Sequence, residues 1–193
     1  MTRLSFEKVN KIEQIRNPKE YVDEDDLKII KDYVQSDTGK ISNRLLLALF
    51  LYTGLSRNII ANMSFSQFND NCTEFYISLK TGEYVLPIKK ELSELLQKFK
   101  SASGISNTDK FFTSTGEYLS GTIGRVTKKI CKKRYTPTIL CNTFIKQTLG
   151  EDIDKNIYAV SKLTLESLKT IEEHVSQSPD WLIDRQREIL KRW

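Results

Sequence analysis

Histidine is almost absent: His174 is the only one in 193 residues, which excludes chemistry that needs two imidazoles and leaves few ligands for a transition metal. Neither a metal nor another cofactor is expected. Cysteine is equally sparse. Cys72, Cys131 and Cys141 are odd in number and contain no close pair, so neither a disulfide framework nor a zinc knuckle is indicated, and packing roles are expected. With 8 Gly and 4 Pro, and 39% hydrophobic against 28% charged residues, collagen-like, low-complexity and wholly disordered chains are excluded. Long apolar runs are missing too: Leu45 to Tyr52 falls far short of the ~20 residues that span a bilayer, and the first residues lack a basic-then-apolar signal pattern. The expectation is a soluble cytoplasmic protein with no membrane partner, long enough to bury roughly 70% of its unfolded surface.

What the chain does have is charge of one sign in one place. The net charge is +5, from 30 Lys plus Arg against 25 Asp plus Glu. Residues 1–40 carry 8 basic and 9 acidic groups, 41–109 carry 7 and 6, and 145–193 carry 8 and 9. Residues 110–144 hold 7 basic groups (Lys110, Arg125, Lys128, Lys129, Lys132, Lys133, Arg134) and the single acid Glu117. At about 100° per residue, Leu119, Ile123, Val126 and Ile130 share one helical stripe, while Arg125, Lys128, Lys129 and Lys132 fall in a separate sector. A helix tuned only for solubility interleaves both signs. A polyanion partner is the better reading, and nucleic acid heads the list.

The remaining pattern is mainly helical. Residues 1–16 form a short arm or the remnant of a preceding domain, and Asn17-Pro18 marks a turn. Asp23 is placed to cap a helix through Gln35, with Leu27, Ile30 and Val34 inward. Ser42 opens a helix that is apolar almost all round, with Gly54 as its stop, and a short helix follows at Arg57–Met63. Phe75–Lys80 and Tyr84–Ile88 read as a hairpin around Thr81-Gly82-Glu83. A helix follows at Lys90–Lys100, Phe111-Phe112 suggests a third short strand, and then comes the basic helix. Two or more helices lie between Thr138 and Val175. Residues 176–193 read as a C-terminal helix capped by Ser178, whose apolar face (Trp181, Leu182, Ile189, Leu190, Trp193) needs a cover, either within the chain or on a second copy.

The order of these elements, with four local strings, resembles the catalytic domain of tyrosine recombinases, the phage-integrase family. The strings are Leu45 to Leu55 with its Thr53-Gly54-Leu55 end, the hairpin Leu79-Lys80-Thr81-Gly82 with Val85-Leu86-Pro87-Ile88, Phe111-Phe112 through Leu119-Ser120, and Thr136-Pro137 with Leu140 and Thr143-Phe144. The resemblance implies a mainly α fold (α+β) with a small antiparallel sheet over residues 17–175, and double-stranded DNA as partner. It also implies a site of two arginines, a hairpin lysine, histidine-type donors and a tyrosine nucleophile. Such a site uses fixed cations to stabilise charge developing on the phosphate oxygens.

Here this sequence departs from the pattern. Ser56 stands at the first arginine position with Arg57 one place late; Ile59 replaces the acid; Thr138 and Cys141 stand after Thr136-Pro137 where histidine and arginine are expected. The second histidine position falls near Leu165, the tyrosine position falls on His174, and no tyrosine follows Tyr158. Only Lys80 is retained. A neutral Ser or Cys cannot reproduce a bidentate guanidinium contact, so no catalytic residue is assigned and the chain is expected not to be an enzyme. The resemblance places the basic helix as the major-groove helix, with Thr122 and Arg125 nearest base edges and Lys128, Lys129, Lys132, Lys133 and Arg134 nearer phosphates. Lys80 is either a solvated turn residue or a minor-groove contact, and Arg57 a solvated or DNA-backbone residue. The expected function is a DNA-binding phage or mobile-element repressor in the bacterial cytosol or nucleoid. The alternatives are an active or conditionally active recombinase, or a protein-interaction module.

Overall fold

A computed structural model of the chain describes residues 19–80, 82–151, 156–175 and the single positions 187 and 191. The arm at 1–16 and most of the C-terminal helix expected at 176–193 lie outside the described residues. Eight α-helices and one two-stranded sheet are seen among those described. They are α1 (Glu24–Gln35), α2 (Ile41–Thr53), α3 (Arg57–Ala61), β1 (Glu74–Leu79), β2 (Gly82–Pro87), α4 (Lys90–Ser103), α5 (Gly116–Cys131), α6 (Pro137–Glu151), α7 (Ile157–Thr164) and α8 (Leu168–Val175). A single 3-10 turn at Phe65–Gln67 precedes the hairpin. None of the described helices is long and apolar enough to cross a membrane.

The apolar-all-round sequence of α2 has the expected consequence: Leu45 to Leu51 are all buried, with α1, α4, α5 and α6 packed around them. The helix stops at Gly54, which takes the left-handed conformation at φ +63°, its N–H bonded to the Phe50 carbonyl. The Thr53 hydroxyl donates to the Leu49 carbonyl at 2.6 Å and accepts from the Leu55 N–H at 3.1 Å, which turns the chain into α3. A second, smaller cluster of Ile145, Leu149, Val160 and Ile171 ties α6 to α7 and α8.

Several expectations are corrected. The strands run Glu74–Leu79 and Gly82–Pro87 in antiparallel register, with Leu79 opposite Gly82 and Ser78 opposite Glu83. Gly82 and Glu83 therefore belong to the strand rather than the turn. Phe111-Phe112 adds no strand: Lys110 makes only an isolated bridge to Ser64, and Phe111 packs instead into a ring cluster, 4.5 Å from Phe65 and 5.8 Å from Phe68 between centroids. Asp23 precedes α1, yet its side chain makes no cap bond. Its carboxylate accepts from Lys133 Nζ at 2.7 Å and from the Tyr135 hydroxyl at 3.1 Å, because the α5–α6 loop folds back over the start of α1.

Candidate nucleic-acid interface

Helix α5 starts at Thr115, whose hydroxyl accepts from the Tyr118 N–H, and it is amphipathic in the way its sequence requires. Leu119 and Ile123 are buried, joined by Gly124 and Thr127, while Val126 and Ile130 are only half-buried. The buried stripe is thus rotated toward Thr127, for a reason outside the helix. The Thr127 hydroxyl accepts from the Tyr135 N–H at 3.0 Å and so holds the returning loop against this face.

Of the expected cations, Arg125, Lys128 and Lys129 are exposed on the outer side of α5, and among described residues none of them is ion-paired. Arg125 donates to Thr122 Oγ1 at 3.0 Å and its guanidinium lies 5.4 Å from the Tyr118 ring centroid. Lys132, expected on the helix face, lies beyond it as the C-cap in a left-handed conformation, φ +63°. Lys133 is bound to Asp23, and this pairing pushes the Lys133 ammonium pKa up while holding the Asp23 carboxyl below the ordinary range. Arg134 is exposed but folds its stem onto Gly124, back along α5. Of the seven basic residues, Arg125, Lys128 and Lys129 are helix cations without an ion pair to a described residue, Lys132 ends the helix, Lys133 and Arg134 are engaged with neighbouring parts of the fold, and Lys110, ahead of α5, donates to Asn62 Oδ1 at 2.6 Å.

Lys80 is exposed at the hairpin tip. Arg57 is exposed on α3, its Nη1 donating to Ser120 Oγ at 3.2 Å and its stem lying over Gly116. At about 100° per residue, Gly116 and Ser120 lie across α5 from Tyr118, Thr122, Arg125 and Lys129, so Arg57 flanks the opposite side of the helix from that stripe. The sequence reading missed Tyr118, half-exposed at 57%, and missed Lys40, Ser42 and Asn43 at the start of α2. These share with Arg125 and Lys129 a cleft of about 560 Å³ between α2 and α5. Tyr118 is legible as a residue on the Arg125 stripe; the α2 residues carry no local signal at all.

The positions matched to the recombinase site are partly gathered. Ser56 stands just before α3 without a side-chain cap bond, and Cys141 on α6 points its thiol at the adjacent Leu55 carbonyl, 3.4 Å away. Burial pushes the Cys141 thiol up to about 12, helped by the Glu166 carboxylate nearby. Phe144 and Thr164 pack against Gly54 at the same turn, and Leu165 follows with φ +60°. Thr138 is exposed near the start of α6. His174 is elsewhere. The neighbouring α6 residues Asn142 and Thr143 bond to Glu20 and Val22, and Lys146 covers Tyr21; His174 meets that segment through a 3.2 Å contact between Nδ1 and the Tyr21 hydroxyl. By helical periodicity, residues 142, 143 and 146 lie on the other side of α6 from Cys141 and Phe144. Burial lowers the His174 pKa to about 4, with Lys19 adding to the effect, and its Nε2 is buried with no hydrogen-bond partner among described residues.

This architecture is the tyrosine-recombinase catalytic-domain fold. The XerA recombinase superposes with a TM-score of 0.70 at 16% identity, over 90% of this chain and 64% of its own. The XerH recombinase bound to its difH substrate matches with 0.65 at 17%, over 83% and 51%. The integrase of transposon Tn1549, in complex with transposon right-end DNA, matches with 0.66 at 16%, over 92% and 67%. The chain thus spans about half to two thirds of the length of these proteins. No family model matches the chain, and no curated protein matches it in sequence.

Proposed function

We propose that the chain is a sequence-specific double-stranded-DNA-binding protein that occupies its site without cutting it, acting as a transcriptional repressor or regulator of a phage or mobile element. The observation that carries this reading is the outer face of α5, where Arg125, Lys128 and Lys129 are exposed and free of ion pairs to described residues. Free cations on an exposed helix face gain the counterion-release term that drives binding to phosphates, and a guanidinium steadied by Thr122 and Tyr118 is preorganised for a guanine edge. The Tn1549 integrase structures are in complex with DNA, which supports the same partner here.

The absence of cleavage is supported by the chemistry at the Gly54–Leu55 turn. A site for phosphoryl transfer needs positive charge, yet this turn has an almost fully protonated thiol with a carboxylate nearby. Arg57 is engaged with Ser120. His174 lies against Tyr21 across α6. The C-terminal segment 176–193 belongs to the same reading as a surface for self-association, tested by light scattering of a chain ending before Pro179.

The deciding experiment selects bound fragments from genomic DNA and then incubates the enriched duplexes, including nicked suicide substrates, with the protein. Enrichment without nicking or a denaturation-resistant protein–DNA band is expected. A covalent band abolished by His174→Ala would make the chain a recombinase, and absence of enrichment would make it an interaction module.

A further inference from the structure

The cleft between the start of α2 and the stripe on α5 is open to solvent and has a volume of about 560 Å³, the size of a small-molecule site. Lys40, Arg125 and Lys129 line it and no carboxylate does. Among described residues, none of the three makes an ion pair. Three cations around one concavity repel each other and are stabilised by a bound anion. The other chemistry is aromatic and polar. Tyr118, 57% exposed, lines the wall with the Arg125 guanidinium 5.4 Å from its ring centroid, Thr122 Oγ1 accepts from Arg125, and the Ser42 hydroxyl and Asn43 amide supply further neutral donors and acceptors.

An anion with a flat ring fits this combination, since the cations take phosphate oxygens and the phenol face stacks a heterocycle. Duplex DNA fits it less well. Its bases stay stacked inside the helix, so a passing duplex offers the cleft phosphates and base edges but no base face, and leaves the Tyr118 ring without a stacking partner from the DNA. We propose that this cleft binds a free nucleoside phosphate, with the phosphates on Lys40, Arg125 and Lys129 and the base on Tyr118. Arg125 and Lys129 also belong to the outer face of α5, so an occupied cleft withdraws two of its three free cations from DNA. That consequence, unlike the binding itself, rests on the DNA-binding reading.

The test uses ATP as probe, with tripolyphosphate and adenosine as separate arms, in calorimetric titrations at matched ionic strength. ATP is expected to bind one to one with Kd below about 1 mM, at least about fivefold tighter than tripolyphosphate. Tyr118→Ala should remove that advantage, and Lys40→Ala, which leaves α5 intact, should weaken ATP at least about fivefold. The proposal is overturned by no saturable binding up to about 10 mM ATP, by tripolyphosphate binding as tightly as ATP, or by an unchanged Lys40→Ala. In a separate anisotropy assay, ATP should raise the apparent Kd for DNA with wild type, and at least about fivefold more ATP should be needed for the same rise with Lys40→Ala. If the chain binds no DNA in the absence of ATP, the repressor reading fails while the calorimetry still decides the cleft.

Discussion

Lys128 and Lys133 are five residues apart in a single basic cluster, and the structure makes them unequal. Lys128 is exposed on α5 with no ion pair to a described residue, whereas the Lys133 ammonium sits 2.7 Å from the Asp23 carboxylate. Each neutralised phosphate adds about −0.9 to the slope of log affinity against log salt. Between 50 and 200 mM salt, one such contact weakens binding by roughly 3.5-fold, four to the power 0.9. Lys128→Ala should therefore flatten the slope by about 1 and lose affinity mainly at low salt. Lys133 brings the Asp23 carboxylate with it to any phosphate it meets, and that negative charge repels the DNA and offsets the ammonium. Lys133→Ala should accordingly change the slope by well under half that amount. The measurement is a salt titration by fluorescence anisotropy on an enriched duplex and on random DNA, with Arg125→Ala costing roughly 1 to 3 kcal/mol on the enriched site and less on random DNA. Equal flattening by Lys128→Ala and Lys133→Ala would refute the division of the basic cluster, and no effect from Lys128→Ala, Lys129→Ala or Arg125→Ala would refute the interface.

Three further outcomes are expected. A Cβ at Gly54 would sit 2.6 Å from Phe144 Cδ1 and 3.0 Å from Thr164 Cγ2 at φ +63°; Gly54→Ala should cost about 2 to 5 kcal/mol in urea denaturation, combining left-handed strain with overpacking. Gly121→Ala, where the added carbon meets nothing within 4 Å, should instead gain about 0.5 to 1 kcal/mol, and equal effects at the two sites would contradict the packing described. With its folded pKa lowered to about 4, mainly by burial, His174 contributes stability that is complete above its unfolded value near 6.5 and is lost as pH falls toward 4. Urea midpoints of wild type and His174→Gln at pH 7.5 and 4.5 should differ in pH dependence by at most about 3 kcal/mol, and parallel behaviour would disprove the burial account. Finally, Cys141 and Cys131, pushed up to about 12 and about 11 chiefly by burial, should react slowly with a thiol reagent at pH 8 until the chain is unfolded. Rapid native-state labelling of Cys141 would show an open, activated thiol at the turn.

Features that depend on near neighbours in the chain are legible in the sequence itself. The period of Leu27, Ile30 and Val34, the continuous apolar run of α2, the Gly54 stop and the cationic side of α5 follow from helical geometry, and the fold contains each of them. The hairpin is legible as alternation, but its turn reads one step too far along, because Gly82 has the local character of a turn residue and only the pairing with Leu79 puts it in the strand. Side chains with several available partners are decided by the tertiary structure. Asp23 has the sequence of a helix cap and serves Lys133 and Tyr135; Phe111 has strand propensity and joins a ring cluster; Lys132 has the angle of a helix-face lysine and ends the helix. The cleft between α2 and α5 shows the limit most clearly. Lys40 and Lys129 are separated by nearly ninety residues of sequence, and only the packing of α5 beside α2 brings their charges to one concavity. A periodic pattern sets the approximate inward face of an element, since burial acts on each residue separately; long-range geometry rotates that face, as Tyr135 does at Thr127, and sets which partner a charge or hydroxyl meets there.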